Sequence, residues 1–212
     1  AAGLKPLGFT SRPDDSVSRQ AAAAVGQGLL MAEYEKAFAR YDIRVGQVLM
    51  SAQDTMRSAR YRNVRNTMER LLEFGVVPIV NENDTLVTSE VRFGDNDHLS
   101  ALVANIVRAQ ALILLSDVDG LYTAPPSQPG ARRLTFVHNA LEEIDDSTIV
   151  GTGSAVGTGG MVTKVDAVRI ATASGIPCLL TSAANAAPAL MGDAVGTAFA
   201  PIRARESARR LW

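Results

Sequence analysis

The chain has 212 residues, 47% hydrophobic and 20% charged, enough to bury a sizeable core in one domain or two closely packed lobes and too apolar for a disordered segment. Lys and Arg number 21 against 22 Asp and Glu, so a net charge of −1 supplies no overall pull toward nucleic acid or an anionic membrane. One Cys and two His exclude a disulfide framework and a Cys/His zinc cage, and a lone thiol suits a reducing, cytoplasmic setting. No apolar run approaches the ~18 residues needed to span a bilayer. Ala1 to Phe9 has neither the basic start nor the apolar centre of a secretion signal, and with no initiator Met the chain reads as a piece of something longer.

Ser16 to Tyr41 carries apolar residues at Ala21, Val25, Leu29 and Ala32, with a second row at Leu30, Tyr34 and Phe38, the spacing of an amphipathic helix. Ile43 to Met50 is short and β-branched enough for a strand. Val64, Met68, Leu71 and Leu72 repeat the helical spacing up to Gly75, a C-terminal cap. Val76 to Val80 is a nearly continuous apolar run, interrupted by Pro78, of the kind found in strands covered on both faces. Next come a helix over Asp97 to Ala109 and a strand over Ala111 to Leu115. Thr163 to Ser174 reads as a helix, Ile176 to Leu180 as a strand and Val195 to Ala200 as a last, weak strand. This alternation predicts an α/β fold: an open, mainly parallel sheet sandwiched between helices, with ligands beyond the carboxyl ends of the strands. Two stretches break the rhythm. Thr85 to Phe93 suits an antiparallel excursion, and Tyr122 to Gly157, rich in Pro and Gly, suits a lid or binding loop.

Polar clusters stand where strands end. Asn81-Glu82-Asn83-Asp84 follows an apolar strand, and Phe93-Gly94-Asp95-Asn96-Asp97 precedes a helix that Asn96 or Asp97 can cap. The first cluster can be a solvated turn. Capping accounts for one residue of the second. Together they offer carboxylates and amides able to grip an ammonium group, hold a magnesium-bound phosphate or orient lysines. Leu115-Ser116-Asp117-Val118-Asp119-Gly120 is either a strand running into a turn or a nucleotide-contacting edge.

The strongest phosphate signal is Gly151-Thr-Gly-Ser-Ala-Val-Gly157-Thr158-Gly159-Gly160-Met161-Val162-Thr163-Lys164, leading into a helix. Glycines let backbone N–H groups approach oxygen atoms, a helix start favours negative charge, and the Lys can neutralise a phosphoryl group. It is neither a Walker A loop nor a dinucleotide fingerprint; read structurally, it is a flexible Gly/Thr linker. His98 and His138 are far apart in sequence and stand in no recognisable triad context, which favours surface or capping roles, and Cys178 sits in an apolar strand as a small hydrophobe. Arg57, Arg60, Arg62, Arg65 and Arg70 are interrupted by Glu69 and Glu73, as on a solvated or subunit-contacting helix face.

In order and spacing, Asn81-Glu-Asn-Asp84, Phe93-Gly-Asp-Asn-Asp97-His98, Leu115-Ser-Asp-Val-Asp-Gly-Leu-Tyr122 and Gly157-Thr-Gly-Gly-Met-Val-Thr-Lys164 resemble the glutamate 5-kinase branch of the amino acid kinase family. The resemblance covers essentially the whole chain as one kinase domain. It implies a three-layer αβα fold and transfer of the ATP γ-phosphoryl group to the side-chain carboxylate of L-glutamate, giving glutamyl 5-phosphate for proline synthesis. It places Asp84 and Asn96 on glutamate, and Ser116 and Asp117 on the nucleotide. Thr158, Gly159, Gly160, Met161, Val162, Thr163 and Lys164 line the ATP site, with Val162 where some relatives carry Ser. Lys164 stabilises the moving phosphoryl group and Asp97 orients the catalytic lysine or lysines. ATP and Mg²⁺ are the implied cofactors, proline a feedback inhibitor, and a homo-oligomer the usual state. The family's opening strand, with its own Lys and Gly-rich turn, does not precede Ala1, and the RNA-modification-type domain of many bacterial relatives does not follow Trp212. A non-catalytic nucleotide- or amino-acid-binding module, or a sister amino acid kinase, is the competing reading.

Overall fold

The computed structural model describes residues 2–51, 58–85, 96–145 and 160–202. The chain divides into two compact units, Ala1–Phe93 and Gly94–Trp212, and each is taken by itself.

In the first unit a 3-10 turn, Lys5–Leu7, precedes helix α1, Ser16–Ala39. Asp15 caps the helix by accepting from the Ser18 backbone N–H at 2.7 Å, and that bond holds its carboxyl below the ordinary value. The apolar rows expected to pack do not form the buried face. Val25, Leu29, Leu30 and Tyr34 remain exposed, whereas Ala22, Gly26 and Met31 are buried. The cause is steric: the Gly3 backbone lies against the helix, and a Cβ on Gly26 would stand 2.9 Å from Gly3 N. Only small residues permit that approach.

Strand β1, Arg44–Met50, helix α2, Ser58–Glu73, and strand β2, Val76–Glu82, form a parallel pair joined through a helix, in register from Arg44↔Val76 to Met50↔Glu82. Gly75 ends α2 as expected, with φ at 70° and its N–H on Leu72 O at 2.9 Å. Arg65 and Arg70 pair with Glu69 and Glu73 along α2, both at 2.7 Å, which accounts for them as a solvated helix face. One boundary moves. Asn81 and Glu82 belong to β2 rather than to the turn after it, leaving Asn83 and Asp84 beyond the strand. Past Thr85, the excursion expected to Phe93 lies outside the described residues.

The second unit begins with helix α3, Asn96–Ile106, and strand β3, Leu112–Ser116. Strand β4, Phe136–Val137, is followed by helix α4, Met161–Ala173, strand β5, Cys178–Ser182, a 3-10 turn Ala183–Asn185, helix α5, Ala186–Met191, and strand β6, Thr197–Phe199. The sheet order is β3-β5-β6-β4. β3 and β5 are parallel, β4 and β6 are parallel, and β5 and β6 run antiparallel. The fold is therefore α/β with mainly parallel strands flanked by helices.

Helix α4 is buried along most of its length through Met161, Val165, Ala167, Val168, Ala171 and Thr172. It packs in the core that also holds Leu114, Leu180 and Phe199. Cys178 is buried there too, and burial pushes its thiol up to about 12, so it serves as a small hydrophobe.

The polar segment expected to be a long loop is organised from Tyr122 to Asp145. Thr123 N donates to Arg132 O at 2.9 Å and Leu134 N to Leu121 O at 2.8 Å, closing a hairpin. Buried Thr197 staples it: its hydroxyl oxygen accepts from Leu121 N at 2.8 Å and donates to Leu134 O. Asp119 accepts from Tyr122 OH at 2.8 Å and pairs with Arg133 at 3.1 Å, and the first of these bonds raises the Tyr122 phenol above its ordinary value. Farther on, Arg169 of α4 donates to the carbonyls of Ala140, 3.3 Å, and Ile144, 3.0 Å. Residues 146–159 lie outside the described residues.

Candidate active site

Three predicted features of the second unit share one end of it, for a topological reason. Helix α3 turns back into β3 through Arg108, which adopts a left-handed backbone with φ 53°, and α4 turns back into β5 through Gly175, φ 79°. Each helix start is thereby set at the carboxyl end of its strand, and β3 and β5 run parallel. Asn96 and Asp97, Ser116 and Asp117, and Gly160 to Lys164 all lie at that end.

The tightest cluster joins the two helix starts. Lys164 Nζ lies 3.0 Å from Asp97 Oδ2, with the side chains only 14% and 17% exposed. Thr163 Oγ1 lies 2.9 Å from the same Oδ2. One carboxylate oxygen is thus shared by a cation and a hydroxyl from consecutive residues of α4. The Asp97 backbone carbonyl also accepts from Ser100 Oγ at 2.6 Å. Helix α3 starts at Asn96, which is exposed, and the Asp97 carboxylate is turned to α4.

Gly160 is the N-cap of α4, with φ −86° and ψ −171°, and no side chain bonds the cap. A helix start can hold an anion through its first-turn amides, with the positive end of the helix dipole behind them. Met161 is buried and Val162 is 45% exposed, so at Met161 only the backbone is offered to a ligand. Thr158 and Gly159 lie outside the described residues. At the end of β3, Ser116 Oγ donates to Asp117 Oδ1 at 2.9 Å on an accessible rim. The second acid of that motif, Asp119, is a structural residue holding Tyr122 and Arg133.

Asp84 belongs to the first unit, at the turn after β2. Its neighbours are fixed locally: Asn83 N donates to Met50 O at 2.7 Å, Thr85 Oγ1 to Asn83 Oδ1 at 2.7 Å, and Asn81 Nδ2 to Gln27 Oε1 at 2.8 Å. Sequence reasoning missed the Thr163 contact with Asp97 and the tie between Asn81 and Gln27. Neither has a local signal, since the partners are 66 and 54 residues apart.

The model of the amino acid kinase family matches residues 4–182, across both units. The chain belongs to the amino acid kinase family. Among curated relatives it is 65% identical over 212 residues to a protein named glutamate 5-kinase from Bifidobacterium longum strain DJO10A, covering 100% of this chain and 56% of that one. It is 66% identical over 212 residues to the glutamate 5-kinase of Bifidobacterium animalis subsp. lactis, again covering 100% and 56%. The chain thus spans little more than half the length of these relatives. Among solved structures, carbamate kinase from Giardia lamblia bound to AMP-PNP aligns with a TM-score of 0.60 at 19% identity, covering 86% of this chain and 72% of that one. That likeness concerns the fold, and it fits the layered α/β arrangement expected of an amino acid kinase.

Proposed function

We propose that this chain is the kinase part of a glutamate 5-kinase, which moves the γ-phosphoryl group of ATP to the side-chain carboxylate of L-glutamate and yields L-glutamyl 5-phosphate for proline biosynthesis. The observation that carries the reading is the shielded Lys164–Asp97 pair at the start of α4, in a chain 65% identical to a protein of that name.

A carboxylate is already a nucleophile at neutral pH, so the reaction needs alignment and charge neutralisation rather than a general base. Lys164 places one positive charge where two anions must meet, and Asp97 fixes the direction of its ammonium group. The backbone of Gly160 to Lys164, with Thr158 and Gly159, lines the ATP phosphates, and Ser116 and Asp117 take the nucleotide rim. By position in the family motif Asp84 and Asn96 are both assigned to glutamate, Asp84 to its ammonium group.

Among the described residues no cluster of three or more His, Cys, Asp or Glu is built to cage a metal. Mg²⁺, if it arrives with ATP, would supply charge neutralisation at the phosphates beside Lys164. By the same reading proline is a feedback inhibitor, the protein is a homo-oligomer, and it works in the cytoplasm, where the free thiol of Cys178 stays reduced. No helix among the described residues is long and apolar enough to cross a membrane.

The test is formation of a hydroxylamine-trappable acyl phosphate by the protein containing this chain with MgATP and L-glutamate. Turnover with aspartate or acetylglutamate but not glutamate moves the assignment to a sister kinase. Calorimetric binding of glutamate with no turnover of any of the three reduces it to a binding module.

A further inference from the structure

We infer that Thr163 is a positioning residue that acts through Asp97, rather than a nucleotide ligand; the inference rests on the kinase reading for its catalytic consequence and on geometry alone for the contact. Thr163 Oγ1 has two acceptors within reach, Asp97 Oδ2 at 2.9 Å and Gly160 O at 2.9 Å. A hydroxyl owns one proton, so only one of them receives it. The carboxylate is charged and shielded from water, and a hydrogen bond to a charged acceptor is about twice as strong as one to a neutral carbonyl. The proton therefore goes to Asp97.

The consequence follows from what Lys164 must do. Its ammonium group spends one of its three donors on Asp97 Oδ2, 3.0 Å away, and the others are what it can offer to the developing charge on the phosphoryl oxygens. As the ammonium charge is drawn to those oxygens its bond to Asp97 weakens, in a place where the Asp97 side chain is 17% exposed. A carboxylate in such a site is costly unless its hydrogen bonds are kept. Thr163 keeps one hydrogen bond on that oxygen and so holds Asp97 in place while Lys164 shares its charge. The two α4 residues divide the work, one lending the charge and its neighbour holding the counter-ion in place.

A nucleotide ligand and a positioning residue predict different kinetics. Replacing the hydroxyl by a methyl group, Thr163→Val, preserves shape and should lower kcat roughly ten- to a hundred-fold, the range of a lost hydrogen bond to a charged group, with the KM for ATP changed by less than about threefold. Thr163→Ser, which keeps the proton, should restore most of the rate. A rise in the KM for ATP at unchanged kcat, or a Thr163→Ser variant as slow as Thr163→Val, overturns the inference.

A second measurement does not depend on turnover. The loss of Tm caused by Thr163→Val is compared in the parent and in an Asp97→Ala background. The inference expects the loss to shrink by half or more once the carboxylate is gone. Equal losses mean that the hydroxyl serves Gly160 O alone, and they overturn it. A protein that shows this coupling but forms no acyl phosphate with glutamate would refute the glutamate kinase reading while leaving the Thr163–Asp97 link intact.

Discussion

Replacing Lys164 by Met removes one charge and keeps nearly the same length of apolar stem, so its effect on stability and on rate can be estimated separately. At 3.0 Å and an effective dielectric of ~20, the attraction to Asp97 is about 5 kcal/mol before desolvation. Both side chains are more than four-fifths shielded, so desolvation offsets much of that. The net coupling in a double-mutant cycle with Asp97→Asn should be about 1–3 kcal/mol. Urea unfolding of the four cycle members measures it. The rate should fall further: removing a charge aimed at the transition state costs about 2.7–4 kcal/mol, a factor of roughly 10² to 10³ in kcat. Acyl phosphate trapped as hydroxamate gives that number. A Lys164→Met protein that is folded and turns over within about threefold of the parent would remove Lys164 from the chemistry. Coupling below about 0.5 kcal/mol would mean that the pair is no more than a surface contact.

Thr197→Val should destabilise the chain by about 2–4 kcal/mol, because it leaves the Leu121 N–H and the Leu134 carbonyl unpaired beneath the hairpin; a urea midpoint shift worth less than about 1 kcal/mol counts against that staple. Cys178 should resist a thiol reagent at pH 8 until denaturant is added, since the thiolate forms only near about 12 in the folded chain; rapid labelling of native protein contradicts the burial. Of the four tyrosines, Tyr122 should ionise late in an alkaline ultraviolet titration, and the Asp119→Asn variant should advance it. Because its folded value is raised, Tyr122 adds stability that is full below the unfolded value near 10 and fades as pH rises through the folded one. A titration unchanged by Asp119→Asn would break the link.

Much of the fold was legible because its signals are local. Val165, Val168, Ala171 and Thr172 sit at helical spacing and are all buried in α4. Val76 to Val80 reads as a strand because little interrupts its apolar run, and Gly75 marks the helix end before it with a positive φ. The face of α1 was misjudged because large residues dominate a hydrophobic count, while the contact is made by Ala22 and Gly26 under Gly3. Strand β4 is two residues long, too short to show alternation, and exists because β6 pairs with it. Lys164 was legible from the glycines before it. The Asp97 carboxylate was assigned its partner only through a family likeness, and Thr163 was assigned to the nucleotide, because no spacing rule connects residues 66 positions apart.

Helix α4 is moored at both ends of its working length. Lys164 and Arg169 are five residues apart, about 140° around the axis at ~100° per residue, so they face different neighbours. One reaches Asp97, and the other grips the carbonyls of Ala140 and Ile144, shortly before the chain enters the glycine-rich stretch. Inserting a single residue between them would swing one set of attachments about 100° off target, whereas exchanging side chains on the outer surface would leave both in phase. The rotational phasing of this one rod thus governs at once where the ammonium group points and where the carbonyls of Ala140 and Ile144 are held.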